Sequence, residues 1–115
     1  MNFPDAVKSG FDNYINFEGR ASRSEYWWWW LFYMLAYAGA IVIDIALSLG
    51  LLSVLISLAL LAPSLSIGAR RLHDINKSGW WQLLVLIPLI GPIILIIWYC
   101  MKGNLGENRF GPPVV

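Results

Sequence analysis

Two charge-free stretches set the limits on this chain. From Tyr26 to Ala69 the only formal charge is Asp44, and from Ser78 to Met101 there is none. Apolar runs longer than roughly 18 residues read as membrane-spanning helices rather than core helices. Composition agrees: 58% of residues are hydrophobic and 13% charged, where soluble domains run at about 45–50% and about 25%. The chain is expected to be an all-α membrane protein of one multi-pass domain.

The first run is too long for one span and right for two, since each needs about 20 residues. "DIALSLGLL" holds the break. The expected spans are therefore 22–48 and 51–69, joined as a tight hairpin with Asp44 near the water interface. Ser22 and Glu25 have the spacing of a capping box, which starts the first span. A third span is expected over 80–102, kinked at Pro88, Gly91 and Pro92 and closed by Gly103. Trp80 and Trp81 would mark one of its ends, Trp98 and Tyr99 the other. Ahead of the spans, residues 2–18 place Phe3, Val7, Phe11, Tyr14 and Ile15 on one face of an amphipathic helix lying at the membrane surface. Residues 70–79 read as a loop with Ser78 capping the next helix, and 103–115 as a turn-rich tail. "AYAGA" resembles a signal-peptide cleavage site, but the long polar segment before it and the aromatic crowding favour a retained anchor.

Lys8, Arg20 and Arg23 precede the first span, Arg70, Arg71 and Lys77 follow the second, and the hairpin between has no basic residue. The positive-inside rule then puts the amino terminus and the 70–79 loop in the cytoplasm. Three spans would leave the tail, with Lys102 and Arg109, outside. A re-entrant third segment turning at "PLIGP" would instead gather all eight basic residues inside, at the cost of burying irregular backbone.

Chemistry is sparse. One histidine, His73, and one cysteine, Cys100, fall short of a usual metal-ligand set. G-x-S-x-G elbows and Gly-rich phosphate loops are absent. The expectation is a non-enzymatic protein without metal or cofactor. A net charge of +1 lacks the basic footprint of nucleic-acid binding. Its partner is the lipid bilayer, with a protein partner or a homo-oligomer in addition.

Polar stripes remain. Tyr26, Trp30, Tyr33, Tyr37, Asp44 and Ser48 share one sector of the first span, and Ser53, Ser57, Ser64, Gly68 and Arg71 share one of the second. Such stripes face each other, a partner subunit or a solute path. The candidate intramembrane stripe is Tyr33, Tyr37, Asp44, Ser53 and Ser57. Trp27 to Trp30 ring the helix, as suits the headgroup layer, and Trp30 alone shares the inner sector. At the cytoplasmic face, Arg70, Arg71 and Lys77 are candidates for contacting anionic lipid or a partner, and His73 beside Asp74 has an ordinary titration range near neutral.

"FEGRASRSEYW", "ARRLHDINKSGWW" and "GENRFGP", in this order between apolar spans, resemble the bacterial inner-membrane proteins grouped as a family of unknown function typified by YhaH and YhaI. The resemblance covers nearly the whole chain. It implies a small multi-pass inner-membrane protein and supplies no reaction. Its motif positions here are Phe17, Gly19, Arg20, Arg23, Glu25, Tyr26 and Trp27; Arg70, Arg71, Leu72, His73, Asp74, Ser78 and Gly79; and Asn108, Arg109, Phe110 and Gly111. The tail departs: the family often reads Gly-Pro-Asp-Pro where this chain has Gly111, Pro112, Pro113 and Val114. The candidate polar cluster is Arg20, Arg23, Glu25, Arg70, Arg71, His73 and Asp74, with Glu25 or Asp74 expected to pair with an arginine of the other motif. The leading expectation is an accessory or scaffold protein binding at its cytoplasmic face; the alternative is an oligomeric transporter or channel component using the Asp44 stripe.

Overall fold

A computed structural model of the chain describes residues 2–112. Pro113 and Val114, where the tail departs from the family pattern, lie outside the described residues. These residues form α1 (Phe3–Asp12), α2 (Arg23–Leu47), α3 (Leu52–Ala59), α4 (Leu61–Asp74), a 3-10 helix (Gly79–Leu86) and α5 (Ile90–Cys100). No strand is present among them beyond an isolated bridge between Asn108 and Gly111.

α2 begins as its sequence dictates, with the Ser22 hydroxyl accepting from the Glu25 amide at 3.2 Å. Ser48 ends it in the left-handed region at φ 55°, and Gly50 at φ 74° completes the hairpin, a conformation that costs glycine little. α3 and α4 together form the second long apolar helix, Leu52–Asp74. It breaks at Leu60 because Pro63 brings no amide to the carbonyl of Ala59 four residues back. The Tyr14 hydroxyl donates to that carbonyl instead.

Three expectations need correction. First, the amphipathic helix stops at Asp12 rather than Glu18: the Asn13 backbone and side-chain N–H groups both bond the Ser9 carbonyl, at 2.9 and 2.8 Å, closing the helix there. Second, residues 70–74 are helical, not loop, since α4 runs to Asp74 with its arginines buried. Third, 80–102 is not one helix. The 3-10 helix and α5 are separated by Ile87–Leu89, and the chain reverses there. Trp81 and Trp98 would lie roughly 26 Å apart along a straight helix, yet their rings meet at 5.7 Å. Pro88 and Pro92 lack amide protons, Leu89 takes φ 68°, and a Cβ on Gly91 would fall 1.6 Å from the Leu84 carbonyl oxygen, so only glycine permits the crossing. Reversal needs few orphaned donors, because the amides of Ile87, Ile90 and Gly91 bond back to Leu84, Pro88 and Ile87. Gly103, rather than capping a helix, makes room for Asp74, whose Oδ2 would lie 1.9 Å from a Cβ there.

The burial pattern is inverted relative to a soluble protein. Apolar side chains along the flanks stand open, with Ile45 75% and Leu89 79% exposed, while Arg20, Glu25, Arg70, Arg71 and Asp74 are all under 10%. Lipid is the medium in which such a surface is at rest.

A buried ion cluster at one end of the bundle

Each charge of the cluster is placed by a different element. Arg20 sits in the α1–α2 connection, Glu25 in the first turn of α2, and Arg70, Arg71 and Asp74 in the last turns of α4. Arg70 and Arg71 are four and three residues from Asp74, within one turn of it, but Arg70 turns toward Glu25 of α2 while Arg71 turns toward Asp74 and the end of α5.

Asp74 is the centre. Its Oδ1 accepts from Arg20 Nε at 2.8 Å and its Oδ2 from Arg71 Nη1 at 2.8 Å. Arg20 then spends its remaining donors on carbonyls, mostly of the tail: Nη1 on Gly106 at 2.9 Å and Gly111 at 3.2 Å, Nη2 on Asn104 at 2.6 Å and on Asp74 itself at 3.3 Å. Arg71 clasps the end of α5, donating from Nε to the Tyr99 carbonyl at 3.2 Å and from Nη2 to that of Met101. A separate pair joins Arg70 Nη1 to Glu25 Oε2 at 2.9 Å, and the Ser9 hydroxyl of α1 donates to the same oxygen. Glu25 therefore serves only half of the expected capping box. Three guanidinium groups face two carboxylates in this buried end, and Arg70 Nε and Nη2 are buried without a hydrogen-bond partner among the described residues.

The tail packs onto the same cluster. Phe110 stacks on His73 at 3.9 Å between centroids, Asn108 donates to the His73 carbonyl at 2.9 Å, and Arg109 reaches the Asn76 carbonyl at 3.4 Å. His73 Nδ1 lies 2.8 Å from the Gly19 carbonyl. All three motif stretches thus meet, and the tail is not at the far end that a straight third span requires. Cross-motif pairing occurs as Arg70–Glu25 and Arg20–Asp74, while Arg71 pairs within its own motif with Asp74. Arg23 stays exposed, donating to the Cys100 carbonyl at 3.3 Å. Arg70 and Arg71 are buried and do not present themselves for lipid or partner contact.

The intramembrane stripe is partly dispersed. Asp44 accepts from the amides of Leu52 and Ser53, both at 2.9 Å, and so caps α3 from a preceding helix. Ser57 bonds the Ser53 carbonyl at 2.9 Å, and Tyr33 stacks on Tyr37. Trp29, not Trp30, is the tryptophan turned inward: it is 1% exposed, donates to the Ser64 hydroxyl at 3.1 Å, and packs so closely on α1 that a Cβ on Gly10 would lie 2.3 Å from its ring. Sequence reasoning missed Ser9, Tyr14, Asn104 and Gly103, whose roles are to serve a distant partner and carry no local signature. The one available signal was Pro63, which announces an orphaned carbonyl at Ala59 without naming its donor.

A polar cluster holding a reversed apolar segment to two long apolar helices defines a small helical membrane protein. Residues 14–112 match the family described as "Protein of unknown function (DUF805)". The chain is 46% identical over 103 residues to inner membrane protein YhaI of Escherichia coli (strain K12), covering 86% of each chain. It is 40% identical over 106 residues to inner membrane protein YhaH of the same strain, covering 87% of this chain and 88% of that one. No solved structure matches the chain. The chain belongs to this family, and the bacterial inner membrane is its supported location.

Proposed function

We propose that the chain is a non-enzymatic accessory protein of the inner membrane that crosses the bilayer twice, through α2 and the α3–α4 helix. The 3-10 helix and α5 enter and leave on one side as a re-entrant hairpin, and the polar end faces the cytoplasm. The observation that carries this reading is the convergence of all three motif stretches, with Arg20, Arg23, Arg70, Arg71 and Arg109, at one end, while the hairpin at the other end has no lysine or arginine. Such an asymmetry is what the positive-inside rule reads. The buried arginines act as a clasp, leaving the exposed Arg23, Lys102 and Arg109 and the half-exposed Lys77 as the rim that meets a partner or lipid headgroups.

Two measurements test it. In a Cys100→Ala background, Leu105→Cys should resist a membrane-impermeant maleimide in intact spheroplasts and react in inverted vesicles, while Leu49→Cys does the reverse; a tail labelled from outside sinks the two-span topology. A photo-crosslinking residue at position 105 should give a discrete adduct that Lys77→Glu with Lys102→Glu abolishes. Absence of any protein or lipid adduct removes the binding reading.

A further inference from the structure

A groove of about 390 Å³ lies between α4 and the 3-10 helix, within the roughly 300–1,000 Å³ range of small-molecule sites. Phe17, Leu65 and Leu83 form its apolar wall, and His73, Ser78 and Gln82 its polar one, with Gln82 Nε2 already committed to the Leu65 carbonyl at 3.1 Å. It opens onto the lipid-facing flank, where Trp80 is 79% and Leu83 57% exposed.

Two of these polar side chains have defined roles. The Gly19 carbonyl can only accept, so His73 Nδ1, at 2.8 Å, carries the proton. In its neutral form the ring then presents an Nε2 lone pair, on a residue only 8% exposed, with no hydrogen-bond partner among the described residues. Gly79 lets the 3-10 helix approach α4, since a Cβ there would lie 2.7 Å from that of Ala69; the same Cβ would lie 3.7 Å from His73 Nε2, so Nε2 borders the groove. Ser78 Oγ accepts from the Trp80 amide at 3.3 Å, which leaves its hydroxyl proton to donate. An acceptor and a donor thus line the same groove. Their surroundings are cationic, since Arg109 lies 4.7 Å over Phe110, the ring stacked on His73, and Lys77 precedes Ser78. No carboxylate among the described residues lines the groove.

We propose that this groove binds one anionic phospholipid with a hydroxyl-bearing headgroup. Ser78 donates to its phosphate, His73 Nε2 accepts from its headgroup hydroxyl, and an acyl chain runs along Phe17, Leu65 and Leu83. Phosphatidylglycerol has the required groups: a negative phosphate for the basic rim and a glycerol hydroxyl for the imidazole. The inference rests on the reading that this end lies at headgroup level.

Native mass spectrometry of the full chain in detergent, with phosphatidylglycerol, phosphatidic acid or phosphatidylcholine added in turn, tests it. Phosphatidylglycerol should be retained about five-fold over phosphatidic acid and about ten-fold over phosphatidylcholine, as one extra hydrogen bond implies. His73→Asn keeps a donor toward Gly19 and removes the Nε2 acceptor, so it should bring phosphatidylglycerol down to the phosphatidic acid level. Ser78→Ala should weaken both anionic lipids. Leu83→Trp fills the groove from its exposed side and should abolish retention even where His73→Asn disturbs folding. Equal retention of all three lipids, or an unchanged phosphatidylglycerol preference in Leu83→Trp, overturns the proposal. Tail labelling reads topology separately: an outside tail would sink the two-span reading and leave this detergent result standing.

Discussion

The two ends of the helical hairpin solve the same problem, unsatisfied polar groups beside an apolar slab, by opposite means. At the far end one carboxylate, Asp44, covers the first amides of α3 across a turn of a few residues. The other end gathers Arg20, Glu25, Arg70, Arg71 and Asp74 from three stretches of chain and adds the carbonyls of Tyr99, Met101 and Asn104. The first is a local device and fails locally. The second couples α1, α2, α4, α5 and the tail, so breaking it should release several elements at once.

Asp74→Ala should have the largest effect. It strands Arg20 and Arg71 with no carboxylate, and uncompensated buried charges cost about 3–5 kcal/mol. The expected outcome is loss of a monodisperse species in detergent, with the tail cleaved by added protease; a stable, protease-resistant variant would refute the clasp. Glu25→Ala should cost about 3 kcal/mol by stranding Arg70, and the double change Glu25→Leu with Arg70→Met should recover most of it in thermal unfolding. If the double variant is as unstable as the single, the pair has a role beyond charge compensation.

Smaller effects sharpen the contrast. Tyr14→Phe should cost about 1 kcal/mol by leaving the Ala59 carbonyl unpaired. In a Pro63→Ala background, where residue 63 regains its amide, that cost should nearly vanish. An undiminished cost there would mean that Tyr14 acts by packing. Asp44→Ala should be the mildest globally: amide exchange at Leu52 and Ser53 should quicken about five-fold, with the amides of Ala21 and Asn104 unaffected. Faster exchange at Asn104 would show that the two ends are coupled.

Much of the architecture is legible in the residues. The Ser22 cap, the hairpin near Ser48 and the two long helices follow from capping chemistry and apolar length. The site is legible only in part. Arg20, Glu25, Arg70 and Asp74 stand out as charges beside apolar runs, yet their pairing depends on which helix face each occupies. Trp29 and Trp30 illustrate the limit: angular position favours Trp30 for the inside, but α1 packs on the other side of α2 and buries Trp29. The third apolar segment is harder still, since its length suits either one crossing or a folded pair of short helices.

What the sequence determined by itself is the medium and the class: charge-free runs of this length rest in lipid, and those runs must be helical because lipid offers their backbone no partner. What the tertiary structure decided is where the third run ends and which charges meet. Helix length and capping are local, so residue order carries them. Reversal at Pro88–Leu89 is favoured over a straight crossing when the returning Tyr99 and Met101 carbonyls find Arg71, and Arg71 is available to them because Asp74 holds it in place. That balance is struck between groups 28 or more positions apart, and no window of sequence contains both sides of it.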